Sequence, residues 1–511
     1  MTVRNRLGYN DEQNIIRCGS VSIFPRALVS AGIDRLFCTF GVSYMIFSSY
    51  KFIFVFLPLA LGLHALARRF FGIQGSKVWL IAASLVFYSQ TNRWLFLLLA
   101  GTILFNHGCV LLLQRCKERS GGAKLVVAAA LIENLGLLFY FKYSNFFLEN
   151  VNRFAGTDFI LKSIILPLGI SFFTFQIVSY IVDVYRRDYA PGGLLDFSLY
   201  VTFFPQLIVG PIIRYDQMQP QLADESFGKC SREDAIEGIM LFCMGCVKKI
   251  LLADPLITHA QSFYDSSAGA DVVTAWAGVL AFTFAYYFDF SGYIDMALGL
   301  GRFFHVKLPQ NFNSPYKAVD FADFWRRWNI SVSLFFNDYI FKGIFKFGDR
   351  YVKLFLATMA TFLVSGVWHG AGWHFIAWGI FNGVLVYIAN VMTIRRISLP
   401  KGLGWAVTFF LCVLARVLFD SASMSQAWQV YGLMFSLDGN LLTLLFSYVS
   451  ENLAVTLLML ASAGICFFLP NSNEIVDKLE PKPYHAVLCG AGFAATLFFM
   501  GAVSNFLYFQ F

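Results

Sequence analysis

The sequence predicts an all-α protein that crosses a membrane many times. Of its 511 residues, 58% are hydrophobic and only 14% are charged, whereas a typical globular protein has about 45–50% apolar and about 25% charged residues. Apolar runs extend from Phe52 nearly to Phe511, and a soluble core could not bury so much apolar surface. These observations exclude a soluble enzyme, a disordered chain and a receptor with a single anchor, and they indicate one bundle of membrane-spanning helices.

Apolar windows place the candidate spans in order along the chain. The windows cover residues 50–67, 78–90, 94–114, 124–141, 159–184, 235–257, 272–300, 352–368, 374–394, 403–419, 441–469 and 484–508. Two further apolar segments, 197–213 and 330–347, are interrupted or flanked by proline, glycine and charge. We expect them to be re-entrant or buried half-helices, because irregular backbone at membrane depth needs protein or a water-filled cavity around it. The prediction is a bundle of about 10–13 transmembrane helices.

Basic residues set the expected orientation of the bundle. They follow the windows that end near residues 67, 114, 184 and 300, and they include Arg68, Arg69, Lys77, Arg115, Lys117, Arg119, Lys124, Arg186, Arg187, Arg302, Lys307, Lys317, Arg326 and Arg327. Because cytoplasmic loops carry an excess of lysine and arginine, we predict that these loops are cytoplasmic. The first span then starts on the outer side.

Residues 1–44 do not fit this orientation. They carry five arginines, yet they would lie outside, and they lack the sustained apolar core of a secretory signal. Met45 opens an uninterrupted apolar span. We therefore interpret 1–44 as an N-terminal extension that is poorly ordered or not native, and 45–511 as a single transmembrane domain with its core motifs in 134–390.

A histidine near the end of one predicted span is the strongest candidate for chemistry. His369 stands in Ser365-Gly-Val-Trp-His-Gly-Ala-Gly-Trp, with an apolar run on each side. Imidazole, with an ordinary pKa of about 6.5, is a suitable general base near neutral pH. The alternative is a histidine that only hydrogen-bonds a neighbouring helix. His374 follows five residues later, which is not the spacing of a helical metal pair, so no metal site is predicted.

An asparagine upstream is the second candidate. Asn329 lies in Trp325-Arg-Arg-Trp-Asn-Ile-Ser, and its amide could orient an imidazole or stabilise an oxyanion. It could equally cap a helix or bond a neighbouring one. Arg326 and Arg327 could attract an anionic donor that carries phosphates, or could be ordinary cytoplasmic charge. No nucleophilic-serine motif is present, so direct transfer that relies on a base is simpler than a covalent enzyme intermediate.

Several long motifs, in the same order, resemble the membrane-bound O-acyltransferase (MBOAT) family. The likeness is greatest to the branch that contains the alginate O-acetylation membrane protein, and the teichoic-acid D-alanylation protein is more distant. The matching stretches are MIFSSYKFIFVFLPL (45–59), NLGLLFYFKYSNFF (134–147), LPLGISFFTFQIVSYIVDVYRRD (166–188), FFPQLIVGPIIRYDQMQPQL (203–222), YFDFSGYIDMALGLGRFF (287–304), NFNSPYKAVDFADFWRRWNIS (311–331) and SGVWHGAGWHFIAWGIFNG (365–383).

The resemblance implies a helical bundle with re-entrant segments and a central tunnel, and acyl transfer to a hydroxyl. His369 matches the family's catalytic histidine. Asn329 stands where the branch usually has a second histidine, but an asparagine roughly this far upstream is common in the wider family. Asn337-Asp338-Tyr339 falls where the branch usually reads Arg-Asp-Tyr, so one cationic donor contact is expected to be missing. The residues that the resemblance assigns to donor binding or support are Arg326, Arg327, Trp325, Trp328, Trp368, Asp338 and Ser365.

The resemblance also implies the substrates and partners. Acetyl-CoA would be a cytoplasmic donor substrate and not a permanently bound cofactor. The acetyl group would reach an exported polysaccharide, alginate-like in this branch, directly or through a periplasmic or extracellular partner of the SGNH-hydrolase type. The chain would lie in a bacterial cytoplasmic (inner) membrane. Two alternatives stay open: transfer of D-alanyl or another acyl group from a carrier protein, and a non-catalytic transporter or flippase of an acylated carrier.

Overall fold

The structure is a computed structural model that describes residues 45–90, 94–162, 164–346, 351–437, 439–478, 482–502 and 506–507. The interpretation of 1–44 as an extension falls outside these residues. Throughout the described part of the chain, the regular secondary structure is helical. This confirms the predicted all-α class.

Most helices follow one another with short connections, and longer ones cover 156–169 and 304–320. The α-helices are α1 (Leu57–Ser89), α2 (Leu95–Arg115), α3 (Gly121–Leu138), α4 (Ser144–Ala155), α5 (Ile170–Arg186), α6 (Leu194–Thr202), α7 (Phe204–Leu207), α8 (Tyr215–Ala223), α9 (Arg232–Val247), α10 (Asp254–Asp265), α11 (Val272–Phe303), α12 (Phe321–Arg327), α13 (Ile330–Phe336), α14 (Lys342–Ile344), α15 (Tyr351–His369), α16 (Trp373–Ile394), α17 (Lys401–Asp420), α18 (Met424–Met434), α19 (Leu441–Glu451), α20 (Leu453–Phe468), α21 (Ser472–Lys478) and α22 (Pro483–Phe499). Four π-helical segments, Phe52–Phe56, Phe139–Tyr143, Lys248–Ala253 and Asn337–Phe341, and two 3₁₀ turns, Pro315–Lys317 and Met500–Ala502, complete them.

Seven helices within the described ranges are long and apolar enough to cross a membrane. They are Phe52–Ser89, Leu95–Arg115, Gly121–Ala155, Val272–Phe303, Tyr351–His369, Trp373–Ile394 and Lys401–Asp420. The bent pair α19 and α20 raises the number to eight if it forms one span. The protein is therefore multi-pass, but it has fewer qualifying helices than the 10–13 spans expected.

Local merging and interruption of helices explain the lower number. The windows 50–67 and 78–90 fall in one helical stretch, which is kinked at Gly72, where φ is 65° and ψ is −155°. In the window 159–184, the helix α5 begins only at Ile170 and has 17 residues in total. In the window 235–257, the π-helical segment Lys248–Ala253 separates α9 from α10. A straight span needs about 20 residues, and neither α5 nor α9 reaches that length.

Helix α11 forms the centre of the bundle. It has 32 residues, and 72% of its most apolar window is buried inside the protein. Against α9 it packs through glycines: a Cβ added to Gly245 would lie 2.5 Å from the Gly292 carbonyl oxygen, and one added to Gly292 would lie 2.8 Å from that of Gly245. Only glycine fits both positions, so these residues allow the two backbones to touch.

Both apolar segments that the sequence predicts as half-helices are broken. Residues 197–213 contain the end of α6, the four-residue α7 and an irregular stretch, and 330–347 contain α13, a π-helical segment and the short α14. The first segment is almost completely buried. The Ile212 amide donates a hydrogen bond to Ser331 Oγ at 2.9 Å, which joins the two segments. The irregular backbone of the first segment lies inside protein, as membrane depth requires, whereas residues 342–346 of the second segment are mostly exposed.

Candidate active site

His369 is the last residue of α15, at the tight turn into α16. Glycines allow this helix pair to approach closely, because a Cβ on Gly379 would lie 2.5 Å from the Phe362 carbonyl oxygen. The His369 side chain is buried, with a residue exposure of 8%. Since α15 and α16 hold the turn from both sides, the backbone that carries the imidazole has little freedom to move.

A lysine from another helix fastens the same turn. Lys142 Nζ donates hydrogen bonds to the carbonyl oxygens of Trp368 at 2.6 Å and His369 at 2.9 Å, and the Tyr143 hydroxyl donates to that of Val367 at 2.9 Å. The last carbonyls of a helix lack intrahelical partners, and a cation there also complements the helix dipole. Sequence reasoning missed Lys142, although a lysine inside the apolar run Phe-Tyr-Phe-Lys-Tyr is a signal of buried function.

Aromatic rings surround the imidazole. The ring centre of His369 lies 4.6 Å from that of Trp368, 5.0 Å from that of Trp378 and 5.0 Å from that of Phe419, each in an edge-to-face arrangement. Rings packed on several sides restrict rotation of the imidazole and displace water from it. The His369 side chain is therefore held in a mostly apolar setting with a defined orientation.

Asn329 occupies the strained link between α12 and α13. Its φ is 44° and its ψ is 56°, a left-handed conformation that asparagine tolerates better than most residues. The residue is buried, and its Oδ1 accepts a hydrogen bond from Asn311 Nδ2 at 3.2 Å. Asn311 also accepts hydrogen bonds from the amides of Ile330 and Ser331. Asn329 stands at the N-cap position of α13, but its side chain makes no cap hydrogen bond there.

Asn329 and His369 line the same cavity of about 530 Å³. We call it the Asn329–His369 cavity. Of the other residues that the resemblance assigns to the site, Ser365, Trp325, Trp328 and Arg326 also line it. Trp325 packs edge-to-face on Phe362 and Trp378. Its Nε1 is buried and, among the residues that the structure describes, has no hydrogen-bond acceptor. A buried donor without an acceptor is costly, so this N–H is available to a ligand.

The two arginines of the motif differ in position. Arg326 has a side chain that is 65% exposed, and its Nη2 lies 3.7 Å from Asp323 Oδ1. Arg327 does not line the Asn329–His369 cavity; its Nε donates to Asp323 Oδ2 at 2.9 Å. Arg326 is therefore free to reach a ligand at the edge of the cavity, whereas Arg327 holds α12 together.

Two further predicted residues also lie outside the lining of the Asn329–His369 cavity. Trp368 stacks on Phe175, with ring centres 5.2 Å apart and an angle of 19° between the rings. Asp338 pairs with Arg214 and with Lys342, whose Nζ is 2.6 Å from Asp338 Oδ1. The structure thus places Trp368 beside the cavity as packing and Asp338 in an ion-pair cluster.

This cluster contains cations that the local motif lacks. The guanidinium groups of Arg186 and Arg214 lie 5.4 and 5.5 Å from the centre of the Tyr339 ring, and the Tyr339 hydroxyl donates to Asp183 Oδ2 at 2.6 Å. The expectation of a missing cationic contact considered only positions 337–339. The fold supplies positive charge there from α5 and from the residue before α8.

A buried ion pair beside the imidazole was also missed. Arg416 pairs with Asp420 within α17, and its guanidinium carbon lies 3.8 Å from the centre of the Tyr286 ring and 4.6 Å from that of Phe419. Phe419 in turn contacts His369. Charged residues in an apolar span are costly and usually functional. An arginine at position 416, directly after Ala415 in an apolar run, was therefore the available signal in the sequence.

Comparisons with known proteins agree with these features. Residues 42–419 match the membrane-bound O-acyltransferase family. A peptidoglycan O-acetyltransferase of Helicobacter pylori is 34% identical over 91% of this chain and 98% of the relative. A probable alginate O-acetylase of Pseudomonas aeruginosa is 36% identical over 83% of this chain and 81% of the relative. A teichoic acid D-alanyltransferase of Streptococcus thermophilus is 27% identical over 52% of this chain and 71% of the relative.

Proposed function

Because this chain belongs to the membrane-bound O-acyltransferase family, it is a multi-pass O-acyltransferase, and we propose that it transfers an acetyl group from acetyl-CoA toward a hydroxyl of an exported polysaccharide. The observation that carries the proposal is that Asn329 and His369 line one cavity of about 530 Å³. The names of the Helicobacter and Pseudomonas relatives support acetyl as the acyl group.

His369 acts as the general base in this proposal. Its imidazole takes the proton of the acceptor hydroxyl, and the oxygen attacks the thioester carbonyl carbon. The C–O bond forms, the carbonyl π electrons move onto oxygen, and Asn329 Nδ2 or Trp325 Nε1 donates a hydrogen bond to that oxyanion. When the oxyanion collapses, the C–S bond breaks and the imidazolium returns its proton to the CoA thiolate.

The donor is proposed to enter from the cytoplasmic side. The phosphates of CoA cannot enter hydrocarbon without a large desolvation cost, so they should remain near basic groups while the thioester reaches inward. Arg326, which lines the Asn329–His369 cavity and is largely exposed, suits a phosphate contact. The proposed location is a bacterial cytoplasmic membrane, which the multi-pass helices and the bacterial relatives support.

The acceptor is proposed to arrive from the outer side. It is either a polysaccharide hydroxyl or the serine of a periplasmic or extracellular SGNH-hydrolase-like partner that completes the transfer. An alginate-like polymer and peptidoglycan are both supported by the names of relatives. Transfer of D-alanyl from a carrier protein is the second candidate, because a D-alanyltransferase also matches the chain.

The test is acyl transfer by the purified protein in lipid nanodiscs. With radiolabelled acetyl-CoA, we expect CoA release and labelled product, and we expect His369→Ala to lower the rate by about 10²–10⁴-fold. His374→Gln is the matched control, since His374 is five residues away and does not line the cavity; it should stay close to wild type. Full activity of His369→Ala would remove His369 as the base, and absence of CoA release by the wild-type protein would favour a transporter. Use of D-alanyl carrier protein instead of acetyl-CoA would identify the second candidate.

A further inference from the structure

A second cavity, of about 330 Å³, lies where the end of α10, the start of α11 and the bend between α19 and α20 meet. We call it the outer polar cavity. The side chains on which the argument depends are His259, Ser262, Asp271, Ser447, Tyr448 and Glu451. Neither the described mechanism nor the relatives' names account for it.

The direction of α11 places this cavity on the outer side of the membrane. Asp271 caps the first turn of the 32-residue helix, and Arg302 and Lys307 lie at its other end, roughly 46 Å away at 1.5 Å per residue. The basic end is cytoplasmic by the positive-inside rule. Independently, Lys317 Nζ donates to the Leu469 carbonyl oxygen at 2.7 Å, so α20 also ends on the cytoplasmic side and begins on the outer side.

Helix α19 forms the rim of the outer polar cavity. It makes an angle of 99° with α20, so it lies across the direction of that span. Its exposed apolar residues, Leu441, Leu442 and Phe446, are on one face, and the cavity-lining residues at 444, 447, 448 and 451 follow the spacing of the opposite face. Such an amphipathic helix rests at the membrane surface with its polar face toward the protein and water.

The lining of the outer polar cavity fits a neutral polyhydroxylated ligand. His259 Nε2 and the Tyr448 hydroxyl are 2.7 Å apart, and Ser447 Oγ donates to Glu451 Oε1 at 3.1 Å. The Glu451 carboxylate can accept further hydrogen bonds from ligand hydroxyls, and serine hydroxyls can donate or accept. The Asp271 carboxylate adds negative charge, but its oxygens already accept hydrogen bonds from Val273 and Thr274 at the start of α11. Phe263 adds an apolar surface. None of the described residues that line the cavity is lysine or arginine, so a polyanionic ligand would be repelled.

One hydrogen bond and a short stretch of chain link the outer polar cavity with the end of α17 that packs on His369. Gln426 Nε2 donates to the Tyr264 carbonyl oxygen at 2.8 Å, and Tyr264 is the neighbour of Phe263 in the lining. Gln426 lies on α18, just beyond the end of α17, where Phe419 packs on the His369 ring. By the orientation given above, the outer polar cavity is on the side of the membrane from which the acceptor is proposed to arrive.

We propose that the outer polar cavity is a carbohydrate-binding site that holds one or a few neutral sugar units of the acceptor glycan. The inference rests on the proposed function only for the identification of that glycan as the acceptor. The lining favours a glycan with neutral sugars over a polyuronate. The carboxylates of Asp271 and Glu451 face the ligand, and no lysine or arginine among the described lining residues offsets their charge.

The experiment measures binding, not turnover. Full-length protein in nanodiscs is titrated with a neutral β-1,4-linked N-acetylglucosamine tetramer and, separately, with a mannuronate tetramer, by isothermal calorimetry. We expect the neutral probe to bind more tightly, and we expect Glu451→Gln to weaken it about tenfold through loss of a charged acceptor. Ser262→Trp, which fills the cavity from an exposed position, should abolish binding. Glu233→Gln, an exposed acid at the start of α9, is the matched control.

His369→Ala separates this inference from the proposed function, since it should bind the neutral probe as wild type does even if transfer is lost. Size-exclusion profiles show whether each variant is folded. Three results would each overturn the carbohydrate site. The neutral probe does not bind, or Glu451→Gln and Ser262→Trp bind it as tightly as the wild-type protein does, or the uronate binds more tightly than the neutral probe. If the two variants lose only capture of a periplasmic partner protein, the cavity is a protein interface and the inference is wrong.

Discussion

The ammonium group of Lys142 donates a hydrogen bond to the main-chain carbonyl of His369 at 2.9 Å. The two residues are far apart in the chain, and the π-helical segment Phe139–Tyr143 brings the lysine to the end of α15. This hydrogen bond is made to the main chain and not to the imidazole ring. It acts on the backbone that carries the imidazole, so Lys142 is a positioning residue.

Replacement of Lys142 by methionine should lower kcat strongly while KM for acetyl-CoA changes little. The carbonyls of Trp368 and His369 lose their donor, and a displacement of about 1 Å at a reacting group can reduce the rate by about 10²-fold. Lys142→Arg should restore part of the rate, because it keeps a cationic donor. Steady-state kinetics with labelled acetyl-CoA measure both constants. A purely structural role would instead lower the melting temperature with kcat per folded molecule unchanged.

Replacement of Asn329 separates its amide from its backbone conformation. Asn329→Gly keeps the left-handed φ of 44° without strain and removes the amide, so we expect the transfer rate to fall by about 10²–10³-fold. Stability should fall by about 1–3 kcal/mol, because Asn311 Nδ2 loses its acceptor. Asn329→Ala should lose the same activity and more stability, since alanine tolerates this φ less well. Transfer rates and thermal melts of both variants provide the comparison. Wild-type activity of Asn329→Gly would remove the amide from the mechanism.

Composition and motif order were sufficient to predict the helical class, the two broken segments and the pair Asn329 and His369. Apolar content and interrupted windows report directly on burial in lipid or protein. The number of spans was not predictable in the same way. The π-helical segment Lys248–Ala253 interrupts one predicted span, and it contains the buried Lys249. Lys249 Nζ lies 2.6 Å from Asp289 Oδ1, and this tertiary contact cannot be read from the local sequence.

The direction of individual side chains also escaped the sequence. Arg326 and Arg327 are adjacent and chemically equal in the motif, but successive residues of a helix point about 100° apart, and only Arg326 lines the Asn329–His369 cavity. Arg416 and Lys142 were visible as single charges in apolar runs. Asp420 follows Arg416 by four residues, a spacing at which a helix brings two side chains together. The contact of Lys142 with the turn at His369 became known only from the fold.

Replacement of Trp325 by phenylalanine should lower activity and leave stability equal or higher. The Trp325 Nε1 is buried and has no acceptor among the residues described, so deleting it removes a desolvation cost of about 1–3 kcal/mol while the ring still packs on Phe362. If the N–H contacts substrate, the transfer rate should fall by about 3–10-fold, the effect of one neutral hydrogen bond.

Trp405→Phe is the control for this prediction. Trp405 Nε1 donates to the Tyr316 carbonyl oxygen at 2.9 Å and does not line the Asn329–His369 cavity. Its loss should lower stability by about 1 kcal/mol and leave the rate per folded molecule unchanged. Trp325→Phe should therefore lose rate but not melting temperature, whereas Trp405→Phe should lose melting temperature but not rate. A destabilised Trp325→Phe with unaltered kinetics would show that this N–H has a structural partner.

A matched pair of glycine-to-alanine changes tests whether the close approach of α15 and α16 sets the site. At Gly379 the new Cβ would lie 2.5 Å from the Phe362 carbonyl oxygen, so the helices must separate, at a cost of about 1–3 kcal/mol. At Gly402 nothing lies within 4 Å, and alanine should stabilise the start of α17 by up to about 1 kcal/mol. In nanodiscs, fluorescence melts should give Gly402→Ala a higher melting temperature than wild type and Gly379→Ala a lower one. The folded fraction of Gly379→Ala should also transfer acetyl more slowly, because the turn at His369 moves. Equal melting temperatures for the two variants would show that the contact between the helices yields without affecting the fold.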